Sequence, residues 1–138
     1  MMTFKVSKWV EVRFQIVGFH KWPAAPEDVK FLASTHRHTF HFRVRVPVVD
    51  SDRQTEFTQL KLFCQDKVYE EYGRSPKNHT IDFCFRSCEM IAEMLAARVM
   101  DHYEVPHVLV SVGEDDEFEG IVFLQQENSN EKTQVSAT

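Results

Sequence analysis

Three histidines are spaced so that a folded sheet could bring them onto one ion. His36 and His38 open the run Thr35 to Val46, where side-chain character alternates with a period of two, the pattern of a half-buried β-strand. Residues two apart share a strand face at a rise of roughly 3.3 Å per residue. Both imidazoles can therefore reach one cation at the roughly 2.0–2.1 Å of a zinc–nitrogen bond. A second alternating run, Phe4 to His20, ends in another histidine on its apolar face. If the two strands pair antiparallel, the end of the first lies beside the start of the second, and His20 joins His36 and His38 on one side of the sheet. That is a candidate three-histidine zinc site.

The rest of the chain must supply the scaffold that holds these ends together. The opposite face of the second run carries Arg37, Thr39, His41, Arg43 and Arg45, with Lys5 and Arg13 beside them, and reads as solvated. Lys21 to Val29 contains Pro23 and Pro26 and no period, so it is expected to be a loop flanking the site. After a turn at Val49 to Arg53, the spacing of Phe57, Leu60, Cys64 and Val68 predicts a helix, with Thr55 as N-cap and Gly73 as its end. Arg74 to Asp82 is polar, contains Pro76 and reads as a loop. A second helix is expected after the N-cap Ser87, with Glu89 in its first turn. Its apolar stripe is Met90, Ile91, Met94, Leu95, Ala97 and Val99, and it ends near Tyr103.

Val108, Val110 and Val112, then Ile121 to Leu124, flank Asp115-Asp116-Glu117 and Gly120 and predict a hairpin. The order strand, strand, helix, helix, strand, strand (ββααββ) implies an α+β domain over residues 1–126: a four-stranded antiparallel sheet with two helices on its apolar face. The polar stretch 127–138 is expected to be a disordered tail.

Composition narrows the function classes. A chain of 138 residues with 43% apolar and 27% charged side chains fits one globular domain with a real core. A net charge of −5 offers no general attraction to nucleic acid or to an anionic membrane, so neither is an expected partner. No apolar run is long enough for a membrane span, and the amino terminus lacks the order of a signal peptide. The odd number of cysteines, Cys64, Cys84 and Cys88, fits a reducing compartment, and the chain is expected to be cytoplasmic.

Five features now stand in a fixed order. They are His20 ending strand one, His36-Arg37-His38 opening strand two, Glu56-Phe57-Thr58-Gln59-Leu60-Lys61 opening helix one, Ser87-Cys88-Glu89 opening helix two, and Glu114 after Val110-Ser111-Val112-Gly113. Over roughly residues 4–125 this resembles the 6-pyruvoyltetrahydropterin synthase / 6-carboxytetrahydropterin synthase family, whose fold is the T-fold. The resemblance implies zinc on His20, His36 and His38 with a fourth position for substrate or water. It also implies that the carboxylates of Glu89 and Glu114 accept from the N–H edge of a pterin ring. The implied activity is a zinc-dependent lyase acting on dihydroneopterin triphosphate or a close relative, as in the queuosine precursor pathway. The implied assembly is a homo-oligomer, trimer or hexamer, with sites between subunits, and Arg37, Arg43 and Arg45 could then line a central tunnel or attract a triphosphate.

Departures from the family pattern define the rival reading. The family's proton-abstracting cysteine, four residues before the histidine triplet, is Leu32 here, and its aspartate–histidine pair is Asn78-His79. His79 is the expected proton-transfer residue, although asparagine cannot stabilise an imidazolium as a carboxylate does. Cys88, at a helix N-terminus, is either a small core residue or a thiol activated by the helix dipole. Glu89 and Glu114 could equally be an ordinary helix-start acid and a turn acid. The alternative function is a non-catalytic, zinc-containing pterin- or purine-binding protein.

Overall fold

The two long alternating runs pair along their whole length at the centre of the sheet. The computed structural model describes residues 1–127. The tail expected over 127–138 therefore lies, apart from Glu127, outside the described residues. Strand β1, Lys8–His20, runs antiparallel to β2, His36–Val48, in a register that sets Lys8 opposite Val48 and His20 opposite His36. Phe4 lies outside β1, which starts later than the alternation suggests, because Phe4 and Val6 are exposed and bury nothing. Strand β4, His107–Glu114, pairs antiparallel with β2, and β5, Phe118–Gln125, pairs antiparallel with β4.

A fifth strand corrects the expected count of four. Strand β3, Ile81–Asp82, lies in the stretch read as a loop and pairs parallel with Gly18 and Phe19, giving the order β3-β1-β2-β4-β5. Two residues are too few to show a period. What admits them is Gly18, where a Cβ would stand 2.8 Å from the Ile81 carbonyl oxygen and 2.8 Å from the Phe83 ring.

Helices α1, Phe57–Tyr72, and α2, Cys88–Tyr103, cover one face of the sheet. Leu60, Cys64 and Val68 of α1 and Ile91, Leu95 and Val99 of α2 are fully buried against Phe40, Phe42, Val44, Val108 and Val110. Each such aliphatic or aromatic side chain contributes roughly 1.5–3 kcal/mol. Ile91, Leu95 and Val99 key α2 to the sheet, and with it the helix start beside the histidines. Phe57, Met90 and Ala97, expected on the buried stripes, face outward instead. The first cap also differs. Glu56, not Thr55, accepts from the Gln59 N–H, at 2.7 Å, while Thr55 is buried. Gly73, at φ +79°, ends α1, and Ser87 Oγ accepts from the Met90 N–H to start α2, both as expected.

Between β1 and β2 a 3-10 helix, Glu27–Ala33, begins inside the loop expected over Lys21 to Val29 and runs past its end, and none of its residues is buried. With no buried face it leaves no apolar period to read. The Trp22 N–H donates to the Leu32 carbonyl at 2.7 Å, folding this segment back beside the start of β2. No helix among the described residues is long and apolar enough to cross a membrane.

Candidate metal centre and ligand cavity

The pairing of β1 with β2 brings the three histidines together. Their ring centroids lie 4.6 Å (His20–His36), 4.9 Å (His36–His38) and 5.4 Å (His20–His38) apart, and one nitrogen from each falls within 4.8 Å of the others. The second nitrogen of every ring is already engaged. Nδ1 of His20 lies 3.0 Å from the Arg86 carbonyl oxygen, Nδ1 of His36 lies 2.8 Å from the Ser34 carbonyl oxygen, and Nδ1 of His38 lies 2.6 Å from Asp115 Oδ2. Carbonyl and carboxylate oxygens only accept, so each Nδ1 carries the hydrogen, and in a neutral ring Nε2 is then a bare lone pair.

His38 Nε2 is buried without a hydrogen-bond partner, although Glu114 Oε2 stands 3.4 Å away. An orphaned buried acceptor between two other imidazoles is what a cation would satisfy. Three imidazole donors also match the chemistry of zinc with an open position. The residues present therefore fit the ion that the sequence suggests.

Glu114, the last residue of β4, faces this cluster, with Oε1 3.0 Å from His20 Nε2. The hydrogen bond from His20 holds the Glu114 carboxyl below its ordinary range, against burial, with the charges of His38 and His20 assisting. Burial pulls His20 down, but the bonds to Glu114 and to the Arg86 carbonyl outweigh it and leave the imidazole above its usual value. Any cation bound at Nε2 must displace the proton that His20 shares with Glu114.

Next to the cluster opens a cavity of about 440 Å³, within the size range of small-molecule sites. His20, His36, Glu114, Glu89 and Cys88 line it, with Trp22, Leu32, Phe85 and Phe118 among its apolar walls and Lys21 and Arg86 as its cations. Gly120 makes room for Glu89: a Cβ there would stand 2.7 Å from Glu89 Oε1. The arrangement offers two carboxylates to the N–H groups of a ligand whose flat faces meet apolar side chains.

Other expected residues fare differently. Cys88 Sγ lies 3.6 Å from Glu114 Oε1, and burial together with that carboxylate pushes its thiol up to about 12. Of the two readings of Cys88, the small core residue holds and the activated thiol does not, because desolvation and a neighbouring negative charge outweigh the dipole. His79 is exposed, at φ +60°, in the segment before β3, and does not line the cavity of the single chain. Leu32 does line it and brings no ionisable group.

Asp115 is the residue that sequence reasoning missed. It read as a turn acid, yet it accepts from His38 Nδ1 and from the Thr39 N–H, and these bonds, the Thr39 one foremost, hold its carboxyl low.

No family model matches the sequence, and no curated protein sequence does. Solved structures do share its fold. An uncharacterized protein, WS1659 from Wolinella succinogenes, aligns with a TM-score of 0.63 at 12% identity, over 88% of this chain and 100% of that one. The 6-pyruvoyl tetrahydropterin synthase of Plasmodium vivax aligns with a TM-score of 0.56 at 12% identity, over 88% and 100% of the two chains. That of Caenorhabditis elegans aligns at 0.53 and 11% identity, over 91% and 100%. The chain thus has the α+β fold of the 6-pyruvoyltetrahydropterin synthases, as its motifs suggested.

Proposed function

We propose that the protein is a zinc-dependent lyase of the 6-pyruvoyl/6-carboxytetrahydropterin synthase type. Its substrate in this reading is dihydroneopterin triphosphate or a close relative, and its place is the queuosine precursor pathway. The observation that carries the reading is the convergence of three Nδ1-anchored imidazoles beside a cavity lined by two of them, His20 and His36, together with Glu89 and Glu114. His20, His36 and His38 would hold the ion. Bound there, zinc supplies Lewis acidity toward the hydroxyls of the substrate side chain.

The chain's own residues do the rest. Glu114, kept ionised, accepts from the paired N–H groups of the pterin edge, and Glu89 accepts beside it. Trp22 and Phe118 exclude water from the ring faces, while Lys21 and Arg86 attract phosphate. His79 enters from a neighbouring subunit as the proton-transfer residue, since in its own chain it stands away from the cavity. A trimer or hexamer of this chain is supported by the open edge of β5, which carries exposed Ile121 and Phe123. Three free cysteines accord with the cytoplasm.

Two observations favour a second reading, a zinc-containing pterin or purine binder without turnover. Leu32 replaces the expected base, and the Cys88 thiol stays protonated at neutral pH. Incubating the zinc-loaded protein with dihydroneopterin triphosphate and separating the pterins distinguishes the two. A product that disappears in His38→Ala supports the lyase. Binding without product supports the binder, and turnover gained by Leu32→Cys identifies the missing base.

A further inference from the structure

We infer that Asp115 is a positioning residue for the metal centre: its carboxylate holds His38 with the hydrogen on Nδ1 and thereby sets how tightly the three histidines bind a divalent cation. The inference rests on the reading that His20, His36 and His38 are metal ligands.

The three rings are not anchored alike. His20 and His36 lean on neutral backbone carbonyls, of Arg86 at 3.0 Å and Ser34 at 2.8 Å, whereas His38 leans on a carboxylate at 2.6 Å. A charged acceptor makes the shorter and stronger bond and raises the basicity of the opposite nitrogen toward a metal.

Asp115 is itself held in place. Its Oδ1 accepts from the Thr39 N–H at 2.9 Å, and its own N–H donates to the Thr39 carbonyl at 2.9 Å. The backbone adds a further constraint. Asp115 and Asp116 both have positive φ, +52° and +58°, and the Glu117 N–H closes the turn onto the Glu114 carbonyl at 3.0 Å. Aspartate and asparagine tolerate this left-handed region better than most residues. One tight turn thus sets consecutive carboxylates on opposite sides of one imidazole: Glu114 near Nε2, Asp115 on Nδ1. Asp116 shares the backbone conformation but makes neither of the side-chain bonds of Asp115.

Asparagine at 115 isolates the charge. It keeps the tolerance for positive φ and the shape, but has one oxygen for two donors; the Thr39 N–H is fixed within β2 whereas the ring can turn or change tautomer, so the oxygen stays with Thr39 and the amide N–H₂ comes to face His38 Nδ1. The ring then turns away or moves its hydrogen to Nε2, and either change removes the lone pair from the metal position.

The test uses the full chain, as wild type, Asp115→Asn and Asp116→Asn, with two readouts. Zinc affinity is measured by competition with a chromophoric chelator. The imidazole tautomers of the zinc-free protein are read by long-range proton–nitrogen NMR at about pH 8, above the ordinary histidine range. Asp115→Asn is expected to weaken zinc binding about 10–100-fold and to lose the Nδ1–H signature of His38, while Asp116→Asn matches wild type in both. Asp115→Gly, which suits the same backbone, should lose at least as much and stands in if the asparagine variant does not fold. Wild-type affinity or an unchanged His38 tautomer in the folded Asp115 variants would overturn the inference. A wild-type protein that binds no zinc would instead bring down the three-histidine reading itself, before any variant is compared.

Discussion

Strands β1 and β2 carry two polar clusters of opposite character. On the face away from the helices, Glu11 accepts from Arg13 at 2.9 Å and from Arg45 at 2.9 Å. There one carboxylate gathers the guanidiniums of Arg13, Arg45 and, at 3.9 Å, Arg43, whose buried Nε makes no hydrogen bond, so cations outnumber the anion. On the helix face, three imidazoles present nitrogens to a common point, and His38 Nε2 has no hydrogen-bond partner. Both clusters are polar rows on the same pair of strands, so polarity alone does not separate them. What separates them is the sign of what is missing: the Glu11 row has guanidiniums to spare, whereas the imidazole row is one cation short.

If that contrast is right, the two clusters respond differently to the same kind of change. The largest effect is expected from His38→Ala, which should abolish stoichiometric zinc in elemental analysis, whereas Arg45→Ala should leave the metal content unchanged. Next comes Glu114→Gln, which keeps the shape of the cavity wall but removes its charge. A hydrogen bond to a charged group is worth about 1.5–3 kcal/mol, so pterin affinity measured by fluorescence titration should fall roughly 10–100-fold with zinc retained. Gly120→Ala should weaken the same binding less, because its Cβ, 2.7 Å from Glu89 Oε1, shifts one of two carboxylates without removing it.

A pH series on chelator-stripped protein probes the helix-face cluster alone. His20 is raised above 6.5, so its contribution is complete below that value and fades as pH rises through the raised one. Glu114 is lowered below 4.5, so its contribution is complete above that value and fades as pH falls through the lowered one. The pair should therefore stabilise the protein most between pH 4.5 and 6.5, read as a maximum in the midpoint of urea unfolding that His20→Gln flattens. The smallest effect belongs to the other cluster. Glu11→Gln should lower stability by about 0.2–1 kcal/mol, the range of exposed ion pairs, without touching metal or ligand.

Much of the helix-face cluster was legible because alternation in a strand fixes which side chains share a face. Once Phe4 to His20 and Thr35 to Val46 read as neighbours, the meeting of His20 with His36 and His38 followed from register. The long strands and both helices were legible for the same reason, since each buries a continuous stripe. The failures fall where burial leaves no period. Ile81–Asp82 is too short to alternate, and Glu27–Ala33 buries nothing, so the strand that leads into Phe85 and the 3-10 helix that carries Leu32, both on the cavity wall, were hidden. Asp115 was invisible for another reason. Its role depends on a left-handed turn that swings it back over Thr39, and an Asp-Asp pair in a turn has the same composition whether or not it grips a histidine. Cys88 stayed open between a core residue and an activated thiol because a helix start suggests a low thiol pKa, while the Glu114 carboxylate that decides against activation is brought there only by the sheet.

Zinc-edge X-ray absorption on the purified, zinc-loaded protein addresses the central claim most directly. One zinc per chain, with imidazole scattering from three histidines at roughly 2.0–2.1 Å, is the predicted result. A shell containing sulfur at about 2.3 Å, which would draw Cys88 into the site, or no retained zinc at all, would contradict it.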